Sequence, residues 1–194
     1  MPRALARTLS ILGHPLLTLP AGILLPTLRG AASADTLAIA TAFAGFALAV
    51  MLWSAYQVRR GRWMHVDASR IDERRALNRF LLPAILAGAA LAWLLSSPSR
   101  VVAALAAAAG IVVAAMLIAR WCKLSLHVAF AAFATGLLWP LGWATMLVAA
   151  SFTVAIAWSR LRLARHAPID LAAGAAAGTL AAIAAWALVP RMGA

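Results

Sequence analysis

Carboxylates are nearly missing from this chain, with five Asp and Glu against seventeen Lys and Arg in 194 residues. Charged residues of both signs amount to 11%, about half of what a soluble domain carries to coat its surface, so a water-soluble globule is excluded and lipid is the expected solvent. The single cysteine, Cys122, excludes an intramolecular disulfide, supplies no metal cluster and reads as a bystander. No repeat, low-complexity linker or shift in composition divides the chain, which reads as one domain over 1–194.

Apolar sequence is what the chain has in quantity, at 65%. Runs long enough to span a bilayer fall at 36–56 and 101–119, the latter without a charge, and further spans at 9–28, 80–97, 125–142, 143–160 and 169–189. The expectation is an all-α, polytopic transmembrane helix bundle of six to seven spans. Between 125 and 160 the only turn signal is Trp139-Pro140-Leu141-Gly142, so one long kinked helix is the alternative there. Arg3 and Arg7 before an apolar run imitate a secretory signal. Pro15, Pro20 and Pro26 argue instead for a kinked first span that stays, since neighbouring helices satisfy the carbonyls that proline frees in lipid.

The net charge of +12 would suit nucleic acid only on a polar folded surface, which this chain lacks. Its distribution has a better explanation. If the N-terminus and the segments after the second, fourth and sixth spans share one side, that side holds fourteen of the seventeen cations, leaving Arg29, Arg100 and Arg191 opposite. By the positive-inside rule the rich side is cytoplasmic, with the N-terminus inside and the C-terminus outside, as in a bacterial inner membrane. Trp53, Trp93, Trp121, Trp139, Trp143 and Trp158 fall near span ends and read as interfacial anchors, as do Arg162 and Arg165. The basic and aromatic stretch Arg59-Arg60-Gly61-Arg62-Trp63 has the make-up of an interfacial segment. His14, before a proline in the first span, is assigned to packing or a backbone contact.

Asp170 stands at the head of the last span, and an ionisable residue at such an entrance, in a chain so poor in carboxylates, is a functional candidate. Just before it comes Ser159-Arg160, then His166, while the segment after the fourth span reads Lys123-Leu124-Ser125-Leu126-His127. Two loops on one face thus each bring a histidine, a serine and a fixed cation. Histidine serves as nucleophile or proton donor near neutral pH, guanidinium and ammonium groups donate to phosphate oxygens, and a carboxylate can orient an imidazole. The set suits phosphoryl transfer.

These residues resemble the membrane-bound type 2 phosphatidic acid phosphatases, whose third motif reads S-R-x5-H-x3-D. Ser159, Arg160, His166 and Asp170 match every fixed position and both spacings. The second motif, P-S-G-H, is half matched by Leu124-Ser125-Leu126-His127, with leucine at the proline and glycine positions. The first, K-x6-R-P, is not present as written; Arg74 or Arg75 fills its arginine position without the proline. The resemblance implies that His166 attacks the phosphate, Asp170 steadies it, and His127 protonates the departing lipid alkoxide. Arg160, Ser159, Ser125, Lys123 and Arg74 or Arg75 would bind the phosphoryl oxygens. It implies no cofactor and no metal, and the loops after the fourth and sixth spans hold a single carboxylate where a two-metal phosphatase wants several.

The expected activity is metal-independent hydrolysis of a membrane lipid phosphate: phosphatidic acid, phosphatidylglycerol phosphate, or an isoprenoid phosphate or diphosphate. The alternative is a non-catalytic lipid-phosphate binding or transport protein of the same fold. A prenyltransferase would want paired aspartate-rich metal motifs, of which Asp67 and Asp72 are a meagre version. The partners expected are the lipid substrate and the bilayer, with no nucleic acid. Gly174-x3-Gly178 can serve a homodimer interface or close packing inside the bundle, the latter holding Asp170 beside His166.

Overall fold

The structure, a computed structural model, describes residues 2–28, 34–66, 68 and 70–192. Arg29 and Asp67 lie outside the described residues, as does the side chain of Arg191. Regular structure among the described residues is entirely helical: α1 (Pro2–Leu12), α2 (Pro15–Thr27), α3 (Ala34–Arg59), α4 (Ile71–Leu94), α5 (Ser99–Leu117), α6 (Leu126–Leu137), α7 (Trp143–Arg162) and α8 (Pro168–Met192). Helices α3, α4, α5, α7 and α8 are each long and apolar enough to cross a bilayer, and α1 with α2, bent by 50° at their break, makes a sixth if the pair is one span. The chain is an integral membrane protein built as an all-α bundle.

The bend falls at Gly13-His14, where the run expected as one kinked span breaks into two helices. His14 Nδ1 accepts the Leu16 N–H at 3.2 Å and caps α2, with Pro15 in the first helical position where its missing N–H costs nothing. The run at 125–142 does not become a full span. Helix α6 has 12 residues, about 18 Å of rise against the ~30 Å of a hydrocarbon core. Pro140 in a 3-10 turn, then Gly142 at φ +92°, ends it and reverses the chain. The alternative of one long kinked helix does not hold. Thr135 Oγ1 lies 3.2 Å from Thr153 Oγ1, and Val128 and Ala131 pack with Ile156, so α6 and α7 run antiparallel.

Small residues set the packing. A Cβ on Gly174 would stand 2.7 Å from the Ser125 carbonyl oxygen, and one on Gly178 would collide with that of Ala129. The glycine face of α8 therefore meets α6 of the same chain, as close packing inside the bundle requires. Gly136 of α6 lies against Ala182, and Gly22 of α2 against Ala134, so α6 is enclosed on both flanks. Helix α3 stands apart: only 6% of its most apolar stretch is buried, against 56% for α5. Its C-terminal end is held by Trp53, stacked on Phe80 at 4.5 Å and edge-on to Trp63 at 4.9 Å. Trp53 is thus a packing residue rather than an interfacial anchor, whereas Trp93, Trp121, Trp139 and Trp143 are exposed. Trp63, in the stretch expected at the interface, is also buried.

The up-and-down course brings to one end the α1–α2 break, the end of α3, the start of α4, the end of α5, the starts of α6 and α8, and the end of α7. Contacts between His14 and His127, Arg74 and His166, and Lys123 and Asp170 join these segments.

Candidate functional site

The turn that presents His166 begins where α7 stops. Ala164 takes the left-handed conformation at φ +53°, its N–H donates to the Leu161 carbonyl at 2.9 Å, and the Arg165 N–H reaches back to the Arg160 carbonyl at 3.0 Å. This is a Schellman closure with alanine in the place usually held by glycine. Pro168 then opens α8, whose third residue, Asp170, accepts the Ala167 N–H through Oδ2 at 2.9 Å. Asp170 is therefore a helix-capping residue and a site carboxylate at once.

Asp170 also docks the neighbouring loop. Its Oδ1 accepts the Lys123 N–H at 2.9 Å, and its backbone carbonyl accepts the Ser125 N–H at 3.0 Å. Cys122, read from sequence as a bystander, instead donates its thiol to Oδ1 at 3.4 Å. Burial and that carboxylate push the Cys122 thiol pKa up, so it stays protonated near neutral pH.

His166 lies in this knot with no side-chain surface exposed. Its Nδ1 is 3.1 Å from the Lys123 carbonyl oxygen and 3.4 Å from Asp170 Oδ2, both acceptors, so Nδ1 carries the hydrogen. Its Nε2 faces a donor, Arg74 Nη2, at 3.4 Å. The tautomer is fixed by these neighbours: the lone pair is on Nε2, directed at a guanidinium. Burial first, then Arg74, Arg160 and Lys123, hold the His166 pKa down to about 3, with Asp170 opposing, so the ring is neutral at physiological pH.

Of the two adjacent arginines, Arg74 is the one that reaches His166; its Nη1 also donates to the Leu124 carbonyl at 2.9 Å. Arg75 is exposed and turned about 100° away around α4. The choice was available in the sequence, since Arg74 shares its helix face with the buried residues Asn78, Leu81 and Ile85, while Arg75 shares its face with Arg79. Arg160 is 3% exposed and donates through Nη1 to Ser10 Oγ of α1 at 2.7 Å. Ser159 is fully buried, but its hydroxyl donates to the Ile156 carbonyl at 2.7 Å within its own helix and does not join the cluster. Lys123 turns its ammonium to the Arg165 carbonyl at 3.4 Å.

His127, in the first turn of α6, faces inward at 9% exposed, edge-on to His14 with ring centroids 5.1 Å apart. It lines a cavity of about 70 Å³ with His14, Leu126 and Arg74, so Arg74 touches both the His166 cluster and the His127 cavity. Leu126, at the glycine position of the partial motif, is one wall. Ser125, the N-cap of α6, has a buried Oγ with no partner among the described residues. Ser10 and His14 were not foreseen as neighbours of the site; no local pattern connects them to it. Among the described residues no three of His, Cys, Asp and Glu gather into a metal-ligating group.

The 70 Å³ cavity shares Leu19, Phe46 and Ile85 with an apolar cleft of about 360 Å³ between α3, α4 and α5. From Ser54 to Asp35 along α3 the two cover about 28 Å, the depth of a bilayer core. Comparison of the chain with protein-family models, with curated proteins and with solved structures finds no match.

Proposed function

We propose that the protein is a metal-independent phosphatase of a membrane lipid phosphate, working through a phosphohistidine at His166, with the site on the cytoplasmic side of a bacterial inner membrane. The observation that carries this is the state of His166: neutral, its Nδ1–H directed at two acceptors, its Nε2 lone pair directed at Arg74. A nucleophilic imidazole requires that tautomer, and a phosphoryl group requires a cation where Arg74 stands.

Phosphate entering between Arg74 and Nε2 takes the guanidinium as its clamp. The Nε2 lone pair forms the N–P bond as the bond from phosphorus to the lipid oxygen breaks. Asp170 and the Lys123 carbonyl stabilise the charge the ring acquires. His127, on the cavity that Arg74 also lines, passes its ring N–H proton to the lipid oxygen as that bond breaks and takes a proton back from the water that next attacks phosphorus. Water then cleaves the N–P bond and releases phosphate. Positioning and charge do most of the work in such a transfer. The apolar cleft that shares Leu19, Phe46 and Ile85 with the His127 cavity supports a lipid substrate, since the two together offer a tail about a bilayer's depth of apolar wall.

One observation favours a second reading, lipid-phosphate binding without turnover: Arg74 covers Nε2 and the His166 side chain is wholly buried, so attack requires Arg74 to swing aside. The deciding experiment is phosphate release from phosphatidic acid, phosphatidylglycerol phosphate and an isoprenoid diphosphate by purified protein in EDTA. Turnover that falls at least a thousandfold in His166→Ala is expected. A requirement for added metal, or a His166→Ala variant as active as the parent, would overturn the phosphatase; lipid binding without release would leave the second reading.

A further inference from the structure

Beside the His166 cluster lies a second cavity, of about 270 Å³, between the first turns of α4, the end of α5 and the loop before α6. Arg74, Arg75, Arg79, Arg120 and Lys123 line it, and no carboxylate does. The acids nearest in sequence are engaged elsewhere. Glu73 accepts the Met64 and Arg70 N–H groups at 2.7 and 2.9 Å, Asp72 pairs with Arg70 at 3.7 Å, and Asp170 holds Lys123 and Ala167 by their backbone. Charge of one sign is therefore concentrated around a hollow, and burial together with the Arg74 guanidinium lowers the Lys123 pKa.

The second, independent observation is Asn78. It is 3% exposed, lines this cavity, and its buried Oδ1 has no hydrogen-bond partner among the described residues. A buried amide oxygen without a partner is unfavourable, so a ligand that donates to it gains binding free energy there. Five cations and one amide acceptor fit a phosphate group that carries negative oxygens and one P–OH.

We propose that this cavity is a second phosphate-class site, in which Arg75, Arg79 and Arg120 hold a phosphomonoester or free phosphate, Asn78 accepts its P–OH, and Arg74 and Lys123 are shared with the His166 cluster. The arrangement rests on the cavity and does not require turnover at His166. Arg120 is held over the Trp121 ring at 3.7 Å, which fixes one wall of the site. The phosphate has two sources, a lipid headgroup or the free anion, and both present the same chemistry.

The test is binding, on full-length protein at low salt. In neutral detergent, calorimetric titration with inorganic phosphate is expected to show two sites per chain, one of them weakened at least tenfold in Arg79→Gln/Arg120→Gln and recovered in Arg79→Lys/Arg120→Lys. In phosphatidylcholine nanodiscs doped with dioleoyl phosphatidate, His166→Ala protein is expected to enrich phosphatidate, with the same dependence on Arg79 and Arg120. Dependence in the first arm identifies free phosphate as a ligand, and dependence in the second alone identifies the headgroup. Should the double glutamine variant not fold, the single variants carry the measurement. Parent-like binding of both probes by the glutamine variants overturns the site. Loss of lipid turnover with both binding classes intact would sink the phosphatase reading and leave this one standing.

Discussion

Helices α3 and α6 invert what their lengths suggest. The longer, with 26 residues, is the more peripheral, and the shorter, with 12, has nine of them buried and lies between α2, α7 and α8. Helix α6 presents Ser125 and His127 from a backbone pinned by Asp170 and by the two glycines of α8. Helix α3 packs through Trp53 on Phe80 and through Val50 and Phe46 on the core, and elsewhere forms one wall of the apolar cleft. For the function proposed above, the difference separates two demands: groups that meet a phosphorus atom need a rigid frame, and a lipid needs an opening from the side. Helix α4 connects them, because Ile85 lines the cleft while Arg74 lines the His127 cavity and reaches His166.

The largest effect should come from cutting that connection. Arg74→Ala removes the cation at Nε2 and the bond to the Leu124 carbonyl, and kcat/KM for a lipid phosphate should fall about 10²- to 10³-fold, the usual consequence of losing one donor to a transition-state anion. Arg70→Ala, at the N-cap of α4 and paired with the exposed Asp72, should change turnover less than threefold. Equal losses in steady-state phosphate release from the two variants would show that the net charge of α4 matters and the contact with His166 does not.

The frame itself is tested by glycine. Gly178→Leu forces a side chain into the Ala129 carbonyl and should destabilise the bundle by about 1–3 kcal/mol, read as a lower midpoint of unfolding in mixed micelles. Gly45 of α3 has nothing within 4 Å of the position a Cβ would take, so Gly45→Leu should leave that midpoint in place. Comparable destabilisation by both would mean that α3 is packed as tightly as α6, and the contrast between them would fail.

Composition made the solvent legible, because a chain with 11% charge has too little polar surface for water. The number of full spans was less legible. Hydropathy does not distinguish an apolar residue facing lipid from one facing protein, and Phe130, Phe133 and Ala134 of α6 face protein. In the site, the spacing from Ser159 to Asp170 was readable through its resemblance to a family motif, and in the fold it covers one helix stop and one helix start. The stop was hidden, since Ala164 carries no glycine signal for its left-handed turn. Ser10 was out of reach for a simpler reason: its bond to Arg160 joins residues 150 apart, and such pairs leave no trace in local pattern. Sequence offered Ser159 as a phosphate ligand, yet a serine inside a helix readily donates to its own preceding turn, as this one does.

The smallest effect distinguishes the frame by its protons. An unfolded histidine titrates near 6.5, whereas His166 in the folded chain titrates at about 3, so between those values the unfolded chain holds a proton that the folded chain refuses. Stability therefore rises with pH across that window, is fully present above it, and is lost as pH falls below about 6.5. The slope reaches at most ~1.4 kcal/mol per pH unit, and between pH 6.5 and 5.5 the loss comes to about 1 kcal/mol. Other groups titrate in the same range, so the quantity to measure is the difference between the parent and His166→Gln, which keeps a polar side chain but binds no proton. Unfolding of the two in mixed micelles should run parallel from pH 7 to 8 and converge by about 1 kcal/mol at pH 5.5. A parent curve that stays parallel down to pH 5.5 would mean that the His166 ring protonates in the folded chain as readily as in water, which the buried ring between Asp170, Lys123 and Arg74 does not allow.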